Sequence, residues 1–420
     1  MEHIIGLECL ICGQEFQADQ IDYVCPAHGD EGILDVVYDY EQMVKRIDRD
    51  TVSNSTDYSI WRYKPLLPMN PASKVPPLTV GWTPMYRSTR LGPEQGLNSL
   101  WVKDDGRQPT ASFKDRASAL AIVKAIEKKA KIITTASTGN AAAALSGLCA
   151  SIPLANIIFV PESAPQAKIA QLLVFGSTVL LVKGTYDDAF ELCLAAAKKY
   201  GWYNRNSGYN PYMTEGKKTA AYEICEQLKW KAPDRIFVSV GDGCIIGGLH
   251  KGLKDLLALG WIDKMPKLMG VQAEGSSYLY DAWKNKENVL TKPPISAQTV
   301  ADSICAGLPR DRIKAMAAVL KTNGAFIRVS DEQILAAIPA LARGAGVFSE
   351  PAGAAAYAGL VKALNQGCVA SNETMVVLNT GNGLKDIASA LDAVKRTDTR
   401  PYHVSADMDA FDKIAVSLGL

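Results

Sequence analysis

From Lys131 onward the chain alternates short β-branched runs with Ala-rich helical stretches, and that rhythm leaves few architectures open. KIITTA (131–136) leads to NAAAALSGLCA (140–150), and NIIFV (156–160) leads to PQAKIAQLLVFG (165–176). TVLLV (178–182) then leads to YDDAFELCLAAAKKYG (186–201) and WYNRN (202–206). A second series begins with RIFVSV (235–240), GGLHKGLKDLLALG (247–260), KLMGVQA (267–273) and AFIRVS (325–330). It closes with two helical stretches, DEQILAAIPALARG (331–344) and PAGAAAYAGLVKAL (351–364), and with TMVVLN (374–379). Strand, helix and strand at this spacing build βαβ units on parallel sheets, so the expected class is α/β. A length of 420 residues suits about three units, two of them these α/β blocks. YEQMVKRIDRD (40–50) reads as helix. In WRYKPLLPMNPASKVPPL (61–78) the prolines forbid regular helix or central strand, so an extended segment wrapping the body is expected.

Charge excludes several functions. Lys and Arg number 45 against 44 for Asp and Glu, which leaves no whole-protein field to gather nucleic acid or anionic lipid. No apolar run reaches the roughly eighteen residues of a membrane helix. The opening MEHIIGLECLICGQEF lacks the basic and apolar regions of a signal peptide. A soluble, cytoplasmic protein with a small-molecule partner is expected, without nucleic acid or membrane. Six cysteines (Cys149, Cys193, Cys225, Cys244, Cys305 and Cys368) are scattered singly, as small buried hydrophobes are in a reducing compartment.

The other three cysteines come with a histidine. Cys9 and Cys12 form one close pair, Cys25 and His28 a second, and each has two residues between its members. Two such pairs can close a tetrahedron around Zn²⁺, and with all four positions filled by protein the site is structural. Gly13 and Gly29 follow the pairs, where knuckle turns need positive φ. The spacing also suits a redox pair or unrelated thiols. No basic cluster accompanies it, which argues against a nucleic-acid ribbon.

Four loops fall where α/β proteins place ligands, at the carboxyl ends of strands. In PTASFKDRAS (109–118), Lys114 follows an aromatic residue and a small-residue loop, where desolvation favours Schiff-base chemistry over an ordinary surface lysine. In ASTGNAAAA (136–144), Ser137, Thr138 and the amides around Gly139 precede a helix and form a carboxylate site, or a plain cap. VGDGCIIGG (240–248) offers bare amides around Gly241, Gly243, Gly247 and Gly248 for a phosphate, outside any dinucleotide or P-loop register. NTGNGLKD (379–386) repeats the strand-to-glycine turn.

SFKDR, STGN, a glycine-rich phosphate loop and TGNGLKD, in that order, resemble the pyridoxal-phosphate enzymes of the tryptophan-synthase β-subunit fold. Within that group the chain is most similar to the threonine synthases. WTP (82–84), PQAKIAQLLVFGSTVLLV, NPYMTEGKKTAAYEI (210–224), EPAGAAAYAGL (350–360) and the Cys-pair knuckle extend the resemblance from Cys9 to Ala390. It implies a two-domain pyridoxal-phosphate fold type II with parallel-rich sheets, preceded by a small Cys/His zinc-ribbon-like module. The implied units are 1–38 for the module, 39–118 with 216–420 for the large cofactor-binding domain, and 119–215 for the small domain.

The implied cofactors are pyridoxal 5'-phosphate and a structural zinc on Cys9, Cys12, Cys25 and His28. Lys114 would carry the former as a Schiff base and shuttle protons. Asn140 would bond its ring hydroxyl oxygen, and Thr380 would face its ring nitrogen. The amides of Gly241, Asp242, Gly243, Cys244 and Ile245 would hold its phosphate. Ser137 and Thr138 would bind the substrate's α-carboxylate. The implied reaction is O-phospho-L-homoserine plus water to L-threonine plus phosphate, and a homodimer is compatible with it.

The chain departs from that pattern in two places. Met213 stands where a basic residue is expected, with Lys217 in place of glutamine, and the phosphate loop reads GDGCIIGG. Lys217 is therefore the candidate for the substrate's phosphate, with Lys218 and Asn210 as further donors. Asp242 is compatible with a bound dianion only if its carboxylate points away. Two alternatives stay open: a threonine or serine dehydratase, or a related β-replacing enzyme, and a non-catalytic partner-binding protein on the same scaffold. A dehydratase often carries a C-terminal regulatory domain, for which the sequence after TGNGLKD leaves no room.

Overall fold

The computed structural model describes residues 3–397 and 399–419. Its thirteen strands form three sheets. β1 (Ile4–Cys9), β2 (Glu15–Phe16) and β3 (Leu34–Tyr38) make a small antiparallel sheet in the order β2-β1-β3. The largest sheet takes β4 (Met85–Arg87), β5 (Ser99–Asp104), β10 (Arg235–Ser239), β11 (Lys267–Ala273), β12 (Ala325–Val329) and β13 (Thr374–Asn379). Its order is β12-β11-β10-β13-β5-β4, and only β4 runs antiparallel to its neighbour. The third sheet is wholly parallel, β8-β7-β6-β9, from β6 (Ile132–Ala136), β7 (Ala155–Pro161), β8 (Thr178–Val182) and β9 (Tyr203–Asn204).

Both parallel sheets reverse direction of growth once. From β6 the chain adds β7 and β8 on one side, then returns with β9 on the other. From β10 it adds β11 and β12 on one side, with β13 on the other. A crevice opens outside the carboxyl ends of strands at such a switch point. The loops after β6 and β9 flank that point in the third sheet, and those after β10 and β13 flank it in the largest, while the lysine loop follows β5.

The proline-rich stretch is more deeply built in than an extended wrap. It contains a 3-10 segment, Ile60–Leu66, and Ile60, Tyr63, Leu66, Leu67 and Met69 lie in the main core. Proline tolerates that tighter turn because few of its amides need an i−4 partner. Leu7, Cys9, Cys25, Leu34 and Val36 join the same core, so the N-terminal sheet shares one apolar interior with the body. Of the six scattered cysteines four are buried, while Cys305 and Cys368 lie at the surface.

Buried charges tie the elements together. Arg116 forms a double fork with Asp105 (2.6 and 2.9 Å) and with Glu223 (2.5 and 2.7 Å), and Lys103 meets Glu223 at 2.7 Å. Lys218 pairs with Glu215 (2.6 Å) and Asp255 (2.8 Å), and none of these side chains is exposed. The N-terminal sheet docks through the same chemistry. Tyr38 donates to Glu215, Lys251 to Asp35 at 2.7 Å, and Lys314 to the Leu34 carbonyl at 3.2 Å and Thr214 at 2.8 Å.

Candidate active site

Lys114 opens the Lys114–Glu127 helix, with the preceding loop sewn to the turn after β13. Phe113 N–H donates to the Thr380 carbonyl (2.9 Å), Asn382 N–H to the Ala111 carbonyl (3.0 Å), and Lys385 to the Thr110 carbonyl (2.9 Å). Thr380 is buried beside it. The lysine loop and the TGNG turn, far apart in sequence, are thus one surface. Burial lowers the Lys114 pKa; Cys244, Asp242 and Glu350 raise it, and Arg205 lowers it further. That set of neighbours joins the lysine to the phosphate loop and to β9. The Lys114 amine has no hydrogen-bond or ion-pair partner among the described residues.

The phosphate loop is a helix start. Gly243 sits at φ 91° and is the N-cap of the fifteen-residue Cys244–Ala258 helix. Its first-turn amides, on Cys244, Ile245 and Ile246, have no intrahelical acceptor and stand at the positive end of the dipole. Gly247 and Gly248 lie inside that helix and serve packing. A Cβ on Gly248 would meet the Lys217 Cβ at 2.6 Å. The Asp242 carboxylate accepts from the Arg310 N–H at 3.2 Å, and its carbonyl from the Asp311 N–H at 2.9 Å.

At the end of β6, Ser137, Thr138 and Gly139 are half-buried, and Asn140 begins the Asn140–Cys149 helix. The Asn140 amide donates to Glu350 at 2.8 Å. Burial pushes the Glu350 carboxyl up to about 7, against the pull of Lys385, Lys114 and Asn140.

The structure separates Lys217 from two of the other candidates for the substrate's phosphate. Lys218 is neutralised by Glu215 and Asp255. Asn210 spends its amide on the Asn204 carbonyl (2.7 Å) and the Tyr212 N–H (2.9 Å). Met213 lies in the main core. Lys217 is fully buried, donates to Ser207 Oγ at 3.0 Å, and has its pKa lowered to about 8 by burial. Sequence reading missed its neighbour. Arg205 follows β9, donates Nε to Ser118 at 3.1 Å and Nη1 to Ser207 at 3.5 Å, and leaves Nη2 buried without a partner. Its location after a short strand at the sheet's switch point was the available signal.

The Cys/His cluster is assembled as the spacing requires. The four ligand atoms lie within 4.8 Å of one another, with Cys9 Sγ to His28 Nδ1 at 3.8 Å and Cys12 Sγ to Cys25 Sγ at 4.0 Å. A tetrahedron with Zn–S near 2.3 Å has edges of about 3.8 Å, so the donor set fits that ion with slight contraction. Gly13 and Gly29 take φ of 72° and 54°.

Among the described residues no helix is long and apolar enough to cross a membrane. In fold the chain is similar to threonine deaminase isoform 2 from Solanum lycopersicum (TM-score 0.65, 23% identity, 76% of this chain and 88% of that one). It is similar also to a fungal L-serine ammonia-lyase from Rhizomucor miehei (TM-score 0.65, 21% identity, 75% and 98%). At those identities the likeness concerns the fold alone. In sequence it is 36% identical to the threonine synthase of Methanocaldococcus jannaschii over 98% of this chain and 99% of that one. It is 38% identical to that of Methanosarcina acetivorans over 96% and 97%. Residues 77–381, which span Lys114 and the first three loops and end within the fourth, match the model of the pyridoxal-phosphate dependent enzyme family. The chain belongs to that family and, within it, to the threonine synthases.

Proposed function

We propose that this chain converts O-phospho-L-homoserine and water to L-threonine and phosphate, with pyridoxal phosphate on Lys114. The observation that carries this is the lysine loop bonded to the TGNG turn, in a chain that aligns with threonine synthases nearly end to end. The residues fit the cofactor. An amine without a polar partner awaits its aldehyde carbon, and the amides of Gly241, Asp242, Gly243, Cys244 and Ile245 surround the positive end of a helix, suited to its phosphate. Bound there, it supplies the electron sink that stabilises negative charge on the substrate carbons.

The chain's own residues then divide the work. Asn140 orients the ring hydroxyl oxygen, and Thr380 offers the ring nitrogen a hydroxyl instead of a carboxylate. Ser137 and Thr138 hold the α-carboxylate, which fixes the substrate's Cα beside Lys114. The Lys114 amine, its pKa lowered by burial, holds and moves protons at that carbon. Lys217 faces the substrate's phosphate.

The same reading assigns residues 39–118 with 216–420 to the cofactor-binding domain and 119–215 to the small domain. It assigns a structural zinc to Cys9, Cys12, Cys25 and His28, a homodimer to the assembly and the cytoplasm to its location. The deciding experiment follows phosphate and 2-oxobutyrate release from phosphohomoserine and from threonine. Phosphate and threonine should form from phosphohomoserine, and Lys114→Ala should lose about 10⁴-fold or more of that turnover. Rapid 2-oxobutyrate from threonine with phosphohomoserine untouched would replace this reading with a dehydratase; a protein that binds no cofactor would leave only a binding role.

A further inference from the structure

Glu350 is a buried carboxyl that no cation pairs among the described residues. It stands at the N-cap of the Pro351–Asn365 helix, with its N–H donating to the Gly381 carbonyl at 3.1 Å. Ser349 Oγ beside it donates to Asn379 Oδ1 at 2.7 Å. These bonds seat the carboxylate on the TGNG turn, where a Cβ on residue 381 would collide with Glu350 Oε1, so Gly381 is required there. The hydrogen bond that Glu350 accepts comes from Asn140 Nδ2 at 2.8 Å. Glu215, Glu223 and Asp255, also buried, each meet a lysine or arginine instead. A glutamine of the same shape would accept the Asn140 bond without the cost of burying a charge. What a carboxyl adds at this place is a proton that can come and go.

The groups that face this carboxyl come from several elements. Lys385 and Asp386 belong to the turn after β13, Lys114 to the lysine helix, and Asn140 to the helix after β6. Ser303, from the segment before Arg310, accepts from the same Asn140 Nδ2 at 3.4 Å. Burial outweighs the pull of the two lysines and of Asn140 and leaves the carboxyl at about 7, so it changes charge near neutral pH. The Asn140 amide is the link to the cofactor. A carboxylate only accepts, so it fixes the amide nitrogen, and not the oxygen, on its own side. That nitrogen carries two hydrogens. One is spent on Glu350, and the other is left for the ring hydroxyl oxygen that Asn140 is assigned, with the longer contact to Ser303 in its place here.

We propose that Glu350 is a positioning residue for the cofactor: through Asn140 it aims an N–H at the ring hydroxyl oxygen, and its change of charge sets whether that oxygen keeps its proton. A negative charge on the far side of the amide disfavours a second one on the ring. Ionised Glu350 therefore favours the protonated oxygen, and neutral Glu350 the ionised one. This rests on the seating of pyridoxal phosphate at Lys114 and holds for either reaction considered for it.

The test uses holoenzyme without substrate, as wild type, Glu350→Gln, Asn140→Ala and the double variant. The absorption bands of bound pyridoxal phosphate, which report the protonation of its ring oxygen, are followed from about pH 6 to about pH 9, beside cofactor affinity. Wild type should lose its longer-wavelength band as pH rises, with a midpoint of about 7 or higher. Glu350→Gln should keep a constant band ratio through that step, because glutamine retains the bond to Asn140 and does not titrate. Protonation elsewhere on the cofactor is common to both proteins, which leaves the difference to Glu350. Cofactor affinity should fall by less than about threefold in Glu350→Gln and by about tenfold in Asn140→Ala. In the Asn140→Ala background, Glu350→Gln should change the bands no further, and additive effects would overturn the route through Asn140. If Glu350→Gln fails to fold, Asn140→Ala carries the test: the exchange of bands should vanish with the amide that transmits it, and its persistence would overturn the proposal. A coloured wild type whose bands match those of Glu350→Gln at every pH would overturn this proposal alone. A wild type that takes up no pyridoxal phosphate would overturn the seating at Lys114 with it.

Discussion

Arg116 and Arg205 are the same residue type, both sealed from solvent; the first lies in the Lys114–Glu127 helix and the second, just after β9, donates to Ser118 of that helix. Arg116 is surrounded by Asp105 and Glu223, which raise its pKa despite its burial. Arg205 has only hydroxyls within reach, and burial lowers its pKa to about 10. The lysines divide in the same way. Lys251 is raised by Asp35 and Glu215, whereas Lys217 is lowered to about 8. Paired cations sit where elements must hold together: beneath the lysine helix, and along the seam between the N-terminal sheet and the body. Those without a carboxylate sit at the carboxyl ends of β6 and β9. The difference separates buried charge paired within the fold from buried charge that no described carboxylate pairs.

The largest effect expected from breaking the distinction lies on the paired side. Glu223 accepts from Arg116 and from Lys103, and those two cations hold its pKa down to about 2 against the effect of burial. Glu223→Gln keeps the shape and leaves two buried cations short of one negative charge. Removing one partner from a buried pair costs about 3–5 kcal/mol. Denaturant unfolding should show a loss of that size, while turnover per folded molecule stays within a few-fold. A stable variant with crippled turnover would move this network from the structural class to the catalytic one.

A smaller loss is expected at the seam. Cys12 is an exposed member of the Cys/His cluster, while the contacts of Tyr38 and Asp35 with Glu215 and Lys251 come from β3. Cys12→Ser should release about one bound zinc per chain and lower stability by about 1–3 kcal/mol. KM for phosphohomoserine should not change, because the paired seam still holds the Tyr212–Lys217 helix. Metal analysis with kinetics checks both parts. A KM that rises with metal loss would show that the knuckle positions Lys217.

The sequence disclosed the architecture through its period. Each apolar run from KIITTA to TMVVLN is a strand, because fully buried parallel strands read as continuous β-branched segments. The lysine loop, STGN, the phosphate loop and TGNG were legible as motifs, since each is a local strand–turn–helix unit. What stayed hidden depended on contacts between distant segments. Lys218 is paired by Glu215, three residues before it, and by Asp255 across the fold, and the second partner is not legible in the sequence. Arg205 lies within WYNRN, just after the short β9, and its lack of a carboxylate partner is a fact about every neighbouring element. In WRYKPLLPMNPASKVPPL the prolines point to an extended wrapping segment and mask the apolar series that is buried in the main core.

The smallest effect, and the one that bears most directly on the unpaired side, is the pH dependence of Lys217. Its pKa in the fold is about 8, below the ordinary lysine value, with burial as the main cause. At a pH below about 8 both the folded and the unfolded chain hold the proton, and the cost of burying the charge is present in full. Between about 8 and the ordinary lysine pKa near 10.4, the unfolded chain binds more protons than the native one, so this group makes stability rise with pH across that window. The sign for substrate is opposite. A phosphate dianion needs the ammonium, so KM should be flat below about pH 8 and rise above it, by roughly tenfold between pH 7 and pH 9. Lys217→Arg keeps a cation that does not titrate in this range, so its KM should stay flatter over the same interval. The substrate's own amino group titrates equally in both proteins, which leaves the difference between the two profiles to Lys217. Matching profiles in wild type and Lys217→Arg would remove Lys217 from the ligand-facing class and leave Arg205 as its one member on that side of Ser207.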